Sequence, residues 1–205
     1  MPGAQAPMGF AQAPEATLPT DAAAGPPTSA FSEFSLYAQA LAGKNSAASL
    51  SGDAATLSAV LSNPAALDGK RAPCDAANPG VLIDLDIAGS RFSPDSQIVD
   101  PGNVAQELAA LRAQDISVAW ISGASAAYAG DVRAALKASG LDPEGKDEVL
   151  LMRYPGDRKQ TRREELAASS CLVAIAGDER ADFDELFGYL ARPEAALGLD
   201  LLIGD

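Results

Sequence analysis

From Val81 onward, short apolar runs alternate with amphipathic segments, and nothing else in the chain constrains its fold as tightly. VLIDLD precedes VAQELAALRAQ, ISVAWIS precedes AYAGDVRAALKASG, EVLLMR precedes RKQTRREELAAS, and CLVAIAGD precedes DFDELFGYLA; LDLLIGD closes the series. Short apolar runs separated by helical-period segments read as β-α-β-α-β-α-β-α-β. That order implies an α/β fold, with a parallel sheet covered by helices on both faces. Ligands of open α/β sheets bind beyond the carboxyl ends of the strands. The residues that follow each apolar run are therefore the first candidates for function.

The preceding sequence is of a different kind. Residues 1–30 are rich in Ala, Pro and Gly without periodicity and read as a disordered tail. They carry neither a basic nor an apolar signal-peptide region, so they are not a signal peptide as they stand. Residues 31–75 read as a helical extension that could fold over the site as a partial lid. In it Phe31, Phe34, Leu36, Tyr37 and Leu41 recur at helical spacing, and Asp53 would cap a second helix containing Leu57, Val60 and Leu61. Asn63-Pro64 would stop that helix, and Asp68 to Pro79 reads as irregular. Residues 76–205 form the α/β core. Because the fifth apolar run ends at Asp205, the natural protein could continue beyond it.

Composition removes several classes of chemistry. The net charge of -13 opposes binding of a nucleic acid polymer. A small phosphorylated substrate stays compatible, since a bound cation reverses the sign of a local site. No apolar run approaches the roughly 18 residues of a membrane span, so no transmembrane segment is expected. With 0 histidines there is no Ser-His-Asp triad, no phosphohistidine and no His-ligated zinc. Neither Cys74 nor Cys171 has an Arg six positions on, where Gly80 and Gly177 stand, so no cysteine-phosphatase loop is present. The two cysteines either form one disulfide in an exported protein or stay as separate buried thiols.

The candidates after each run form one chemical set. Asp84 and Asp86 follow the first, Ser122 and Gly123 the second, Lys159 opens the helix after the third, and Asp178 and Asp182 follow the fourth. Carboxylates gathered at one sheet edge make an all-oxygen cluster suited to Mg²⁺, and Lys159 would relieve their mutual repulsion. Phosphoryl transfer needs that kind of charge neutralisation and an in-line nucleophile. Each residue also has a plain structural reading. Asp84 and Asp86 can end a strand and cap a helix, and Ser122 can cap the helix from Ser125. The run Asp157 to Glu165 can be a solvated helix face, and Asp182 with Asp184 can charge the start of the last helix. Trp120, Phe183 and Phe187 read as core.

In order and placement these residues resemble the haloacid-dehalogenase (HAD) superfamily. Its four motifs appear as VLIDLD, VAWIS, DRKQTRREELA and AGDERADFDELF. The last two are most similar to the class B/C acid phosphatases and lipoprotein 5′-nucleotidases. The resemblance implies a HAD-type Rossmannoid sheet and a Mg²⁺-dependent phosphomonoester hydrolase acting through an aspartyl-phosphate. By it, Asp84 is the nucleophile and Asp86 the general acid and base. Mg²⁺ is held by Asp84, the Asp86 carbonyl and Asp178, with Asp182 close behind, and Ser122, Gly123 and Lys159 bind the phosphate. It also implies a periplasmic or cell-envelope location, with the cytoplasm as the other choice. The sequence departs from the family in three places: Ile87-Ala88-Gly89 follow Asp86, GSRFSPDS replaces an acidic cluster, and Glu179-Arg180 replace the commoner Asn. A catalytically weak or inactive HAD-like binding protein is the alternative. A receiver domain shares several of these residue types, but Met152-Arg153-Tyr154 supplies no phospho-acceptor Asp after the third run. Substrate identity and oligomeric state are not legible.

Overall fold

A computed structural model of the chain describes residues 29–51, 57–66, 68–74, 78–87, 90–93 and 102–186. The Ala/Pro-rich tail up to residue 28, the fifth apolar run, Phe187 and most of the helix expected there lie outside the described residues. In chain order the elements are α1 (Ala30–Ser51), β1 (Leu57–Leu61), β2 (Arg71–Pro73), β3 (Pro79–Asp84), α2 (Val104–Arg112), β4 (Ser117–Ser125), α3 (Ala129–Ala138), β5 (Glu148–Met152), α4 (Lys159–Ser169) and β6 (Cys171–Ala176).

Four strands form a parallel sheet in the order β5-β4-β3-β6. In β3, Val81, Leu82 and Ile83 are all buried, as expected of a parallel strand covered on both sides. Their side chains alternate between faces. Val81 and Ile83 join Val118, Trp120 and Val173 under helices α1, α2 and α3. Leu82 joins Ala119, Ile121, Leu172 and Ile175 under α4 and β1. Each fully buried Leu or Ile on these faces contributes roughly 2 kcal/mol. Trp120 is core, as expected, and its indole N–H is satisfied by Asp147 Oδ2 at 2.8 Å.

The chain order explains why both faces are covered. It runs from β3 outward to β4 and β5, then returns to place β6 on the other side of β3. Right-handed crossovers put α2 and α3 on one face and α4, whose crossover runs the opposite way, on the other. The reversal makes a switch point beside β3, where crevices open at the carboxyl ends of strands.

The N-terminal extension corrects two expectations. Residues 57–61 form a strand rather than a second helix, pairing antiparallel with β2 (Leu57 opposite Pro73, Leu61 opposite Arg71). The stretch taken as irregular thus contributes a strand. Five residues with apolar side chains at 57, 60 and 61 fit either period. Packing decides, because Ala59 and Val60 cover the Leu82–Leu166 face and Ser58 Oγ donates to the Leu172 carbonyl. In α1 the buried stripe passes through Ser35, Ala38 and Ala42, with Phe31, Phe34 and Leu41 beside it; Leu36 and Tyr37 point to solvent. Ser29 caps the helix by accepting from Ser32 N–H. Ser32 in turn bonds Asn103 and Glu107 at the start of α2, so α1 lies along α2 and β6 on the face of the sheet.

Cys74, just past β2, is disulfide-bonded to Cys171, the first residue of β6. Of the two readings left open, pairing is the one the structure adopts. Among the described residues, no helix is long and apolar enough to cross a membrane.

Candidate active site

At the carboxyl rim of the sheet, side chains from three separate segments, the end of β3, the start of α4 and the turn after β6, meet at the Lys159 ammonium. It lies 2.5 Å from Asp84 Oδ2, 2.9 Å from Asp86 Oδ2 and 3.5 Å from Asp182 Oδ1. Asp84 ends β3, and its other oxygen accepts the Asp86 backbone N–H at 2.8 Å. Lys159 is the first residue of α4, delivered by the Tyr154-Pro155-Gly156-Asp157 turn. Asp182 sits in a short turn after β6, where a capping box with Glu179 holds it. Gly177 makes that approach feasible, since a Cβ there would strike the Asp182 side chain.

Ser122 and Gly123 are not after the second strand but inside it. β4 continues to Ser125, with a register irregularity between Ile121 and Ser125 that turns this pair toward Asp86. Nor does Ser122 cap a helix; Ser125 caps the following turn by accepting from Ala127 N–H. Ser122 Oγ donates to Asp86 Oδ1 at 2.6 Å and Gly123 N–H to Asp86 Oδ2 at 2.7 Å. The Phe92 N–H donates to Asp86 Oδ1 as well, at 2.8 Å. The Asp86 carboxylate therefore occupies a cradle of four donors, three of which were expected to bind phosphate.

The electrostatics follow from this arrangement. The Asp84 side chain is only 2% exposed. Burial, opposed by Lys159 and reinforced by the Asp182 charge, pushes its carboxyl up to about 7. Burial would raise Asp86 too, but the bonds from Lys159, Ser122 and the two backbone N–H groups outweigh it and hold Asp86 below the usual carboxylate range. Burial disfavours the Lys159 charge, yet bonding to Asp84 and Asp86 raises it overall, so the ammonium stays charged. Three carboxylates thus share one ammonium.

That excess of negative charge, carried by oxygen donors alone, fits a hard divalent cation such as Mg²⁺. Asp84, Asp178 and Asp182, with the Asp86 carbonyl, are the groups that would hold it. Asp178 stands two residues past β6, which runs beside β3 with Ile83 opposite Ala176, so it shares the Asp84 rim; its residue is exposed. Among the described residues no three acidic or sulfur side chains are already grouped as a metal cage.

The charged run in α4 is not the solvated face it resembles. Asp157, Gln160, Arg162 and Arg163 are buried. Arg162 donates to the carbonyls of Ser122 (2.8 Å) and Leu150 (2.6 Å), tying β4 to β5 beneath the site. Arg163 donates to the Asp182 carbonyl and to Gln160 Oε1, fixing the last acidic turn against α4. These two struts were missed as functional supports, although the Lys-x-x-Arg-Arg spacing marks them. Asp184 caps locally, as its plain reading had it, accepting from Leu186 N–H. Phe183 packs against the second face of the core.

Asp157 anchors the turn that presents Lys159. It accepts from the Arg153 backbone N–H and guanidinium, with Arg162 Nε at 3.7 Å. The Arg153 hydrogen bonds, against the opposing effect of burial, hold its carboxyl down at about 2. A depressed carboxyl stabilises the fold above its ordinary value near 3.8 and loses that contribution as pH falls toward 2. Asp157→Asn is therefore expected to melt lower than the parent chain at pH 6, with the gap closing between pH 4 and pH 2. A gap of constant size in a pH series of thermal melts would show that the ion pair contributes nothing.

Neither family models nor curated proteins provide a match to this chain.

Proposed function

We propose that the chain is a Mg²⁺-dependent phosphomonoester hydrolase of the HAD type, closest to the class B/C acid phosphatases and lipoprotein 5′-nucleotidases. The observation that carries this reading is the meeting of Asp84, Asp86, Asp182 and Lys159, from three segments, at the switch-point rim of a parallel sheet.

In this reading an Asp84 oxygen attacks phosphorus. The bond to the leaving alkoxide breaks as Asp86, protonated once the substrate has displaced it from the donors that keep it ionised, gives that oxygen a proton, leaving an aspartyl-phosphate. Asp86 then takes a proton from water, the water oxygen attacks the same phosphorus, and inorganic phosphate leaves as the Asp84 carboxylate is restored. Lys159 offsets charge on the nucleophile and on the phosphoryl oxygens. Bound Mg²⁺ would supply further neutralisation of that charge. Ser122 Oγ and the Gly123 N–H can serve the phosphate only when Asp86 gives them up, so substrate entry and release of Asp86 are one event. The disulfide supports an oxidising compartment, the periplasm or cell envelope.

One observation favours the alternative of a weak or inactive HAD-like binding protein: the Asp86 carboxylate already fills the donors an incoming phosphate would use. Release of phosphate from p-nitrophenyl phosphate and nucleoside monophosphates decides between them. Turnover is expected with Mg²⁺ and is expected to vanish with EDTA. Binding of Mg²⁺ without hydrolysis of any substrate would favour the alternative.

A further inference from the structure

Arg91 lies in the segment GSRFSPDS, which replaces the acidic cluster found in the similar phosphatases, and no role has yet been given to it. Its backbone is held from both sides. Ile87 and Ser90 exchange hydrogen bonds of 3.1 and 2.9 Å, closing a small turn just before it. Phe92, just after it, donates its N–H to Asp86 and buries its ring in the core. The side chain then has a defined resting place over Gly123. A Cβ added there would stand 3.3 Å from Arg91 Cγ, 3.4 Å from Arg91 Nε and 3.2 Å from Asp86 Oδ2. The arginine stem and the Asp86 carboxylate therefore flank the same point above the Gly123 backbone, and only glycine leaves both in place.

Among the described residues the guanidinium has no partner of its own. It is exposed, and no described residue forms an ion pair or hydrogen bond with it, in a chain whose net charge is -13. Lys159, by contrast, is committed to three carboxylates. Arginine presents a planar fork of donors that matches phosphate oxygens. We infer that Arg91 is a substrate-binding residue, a guanidinium at the mouth of the carboxyl rim that grips an anionic phosphoryl oxygen. The inference rests on the phosphomonoester reading for the identity of the ligand. A phosphate that takes Ser122 Oγ and Gly123 N–H from Asp86 comes within reach of Lys159, which bonds Asp86, and of Arg91, which lies over Gly123.

The experiment compares the full chain with Arg91→Ala and Arg91→Lys, in Mg²⁺ buffer, by two readouts. One is binding of inorganic phosphate by titration calorimetry. The other is the separate KM and kcat for p-nitrophenyl phosphate. Arg91→Ala is expected to weaken phosphate binding at least tenfold and to raise KM by a similar factor, with a smaller change in kcat. Arg91→Lys should recover part of the loss, and melting temperatures should match, because the side chain is exposed. Turnover by the parent chain with Arg91→Ala unchanged within twofold would overturn the inference and leave the phosphatase reading standing. No turnover, but phosphate binding that is lost in Arg91→Ala, would sustain the inference and remove the phosphatase reading. A parent chain that binds no phosphate would overturn the inference.

Discussion

Asp84→Asn is expected to abolish phosphate release and, in metal-free buffer, to raise the melting temperature of the same sample. On the phosphatase reading the first effect follows from removing the charge of the attacking oxygen, and a loss of at least about 10³-fold in kcat is the usual scale for a missing nucleophile. The second follows from the site's surplus of negative charge. Asp84 is nearly fully buried and shares one ammonium with Asp86 and Asp182. Folding therefore penalises its charge, which is why burial lifts its carboxyl to about 7. The amide keeps the shape and leaves Lys159 paired with the two remaining carboxylates. It gives up one acceptor, at a cost of about 1 kcal/mol. We expect a net gain of about 2 kcal/mol, or about 5 °C in a domain of this size. Added Mg²⁺ should shrink the gain, since it supplies the parent site with a counter-charge. Undiminished turnover in the variant would remove Asp84 from its role. A lower melting temperature would show that the cluster's charges are already balanced.

Reducing the Cys74–Cys171 bridge should have the largest effect on stability. The bridge spans 97 positions of sequence, and closing a loop of that length lowers the entropy of the unfolded chain by the equivalent of about 4.7 kcal/mol. The melting temperature should fall by about 10 °C in dithiothreitol, and by the same amount in the Cys74→Ser/Cys171→Ser double variant. Turnover at 20 °C should persist in both, because Cys171 begins β6 whereas the acidic residues follow its end. Identical melting curves with and without reductant would show that the crosslink adds nothing.

The layered α/β architecture was readable because β3, β4 and β6 are buried on both faces and keep an unbroken apolar signature. The rim was readable for a related reason: in a parallel sheet, polar residues that follow successive strands must share one edge. What escaped the sequence depends on contacts between distant segments. Residues 57–61 satisfy two periods, and only the bare Leu82–Leu166 face makes them a strand. Arg162 and Arg163 look solvated because local composition cannot show that the carbonyls of Ser122, Leu150 and Asp182 need donors from α4. Leu36 and Tyr37 were placed in the stripe of α1, where the narrower Ala38 and Ala42 let the helix approach the core instead. Arg91 carried only a negative signal, the missing acidic cluster, and its place over Gly123 is a tertiary fact.

β3 is made early and flanked late. Its neighbour β4 follows soon after it, whereas β6 leaves the ribosome only after β5 and α4. A nascent chain therefore holds Asp84, Asp86, Ser122 and Lys159 for some time before Asp182 exists. During that interval one long side of Val81, Leu82 and Ile83 offers unpaired N–H and C=O groups, a template for mispairing with another copy. Completion of the acidic rim and protection of the β3 edge arrive in the same act, the insertion of β6.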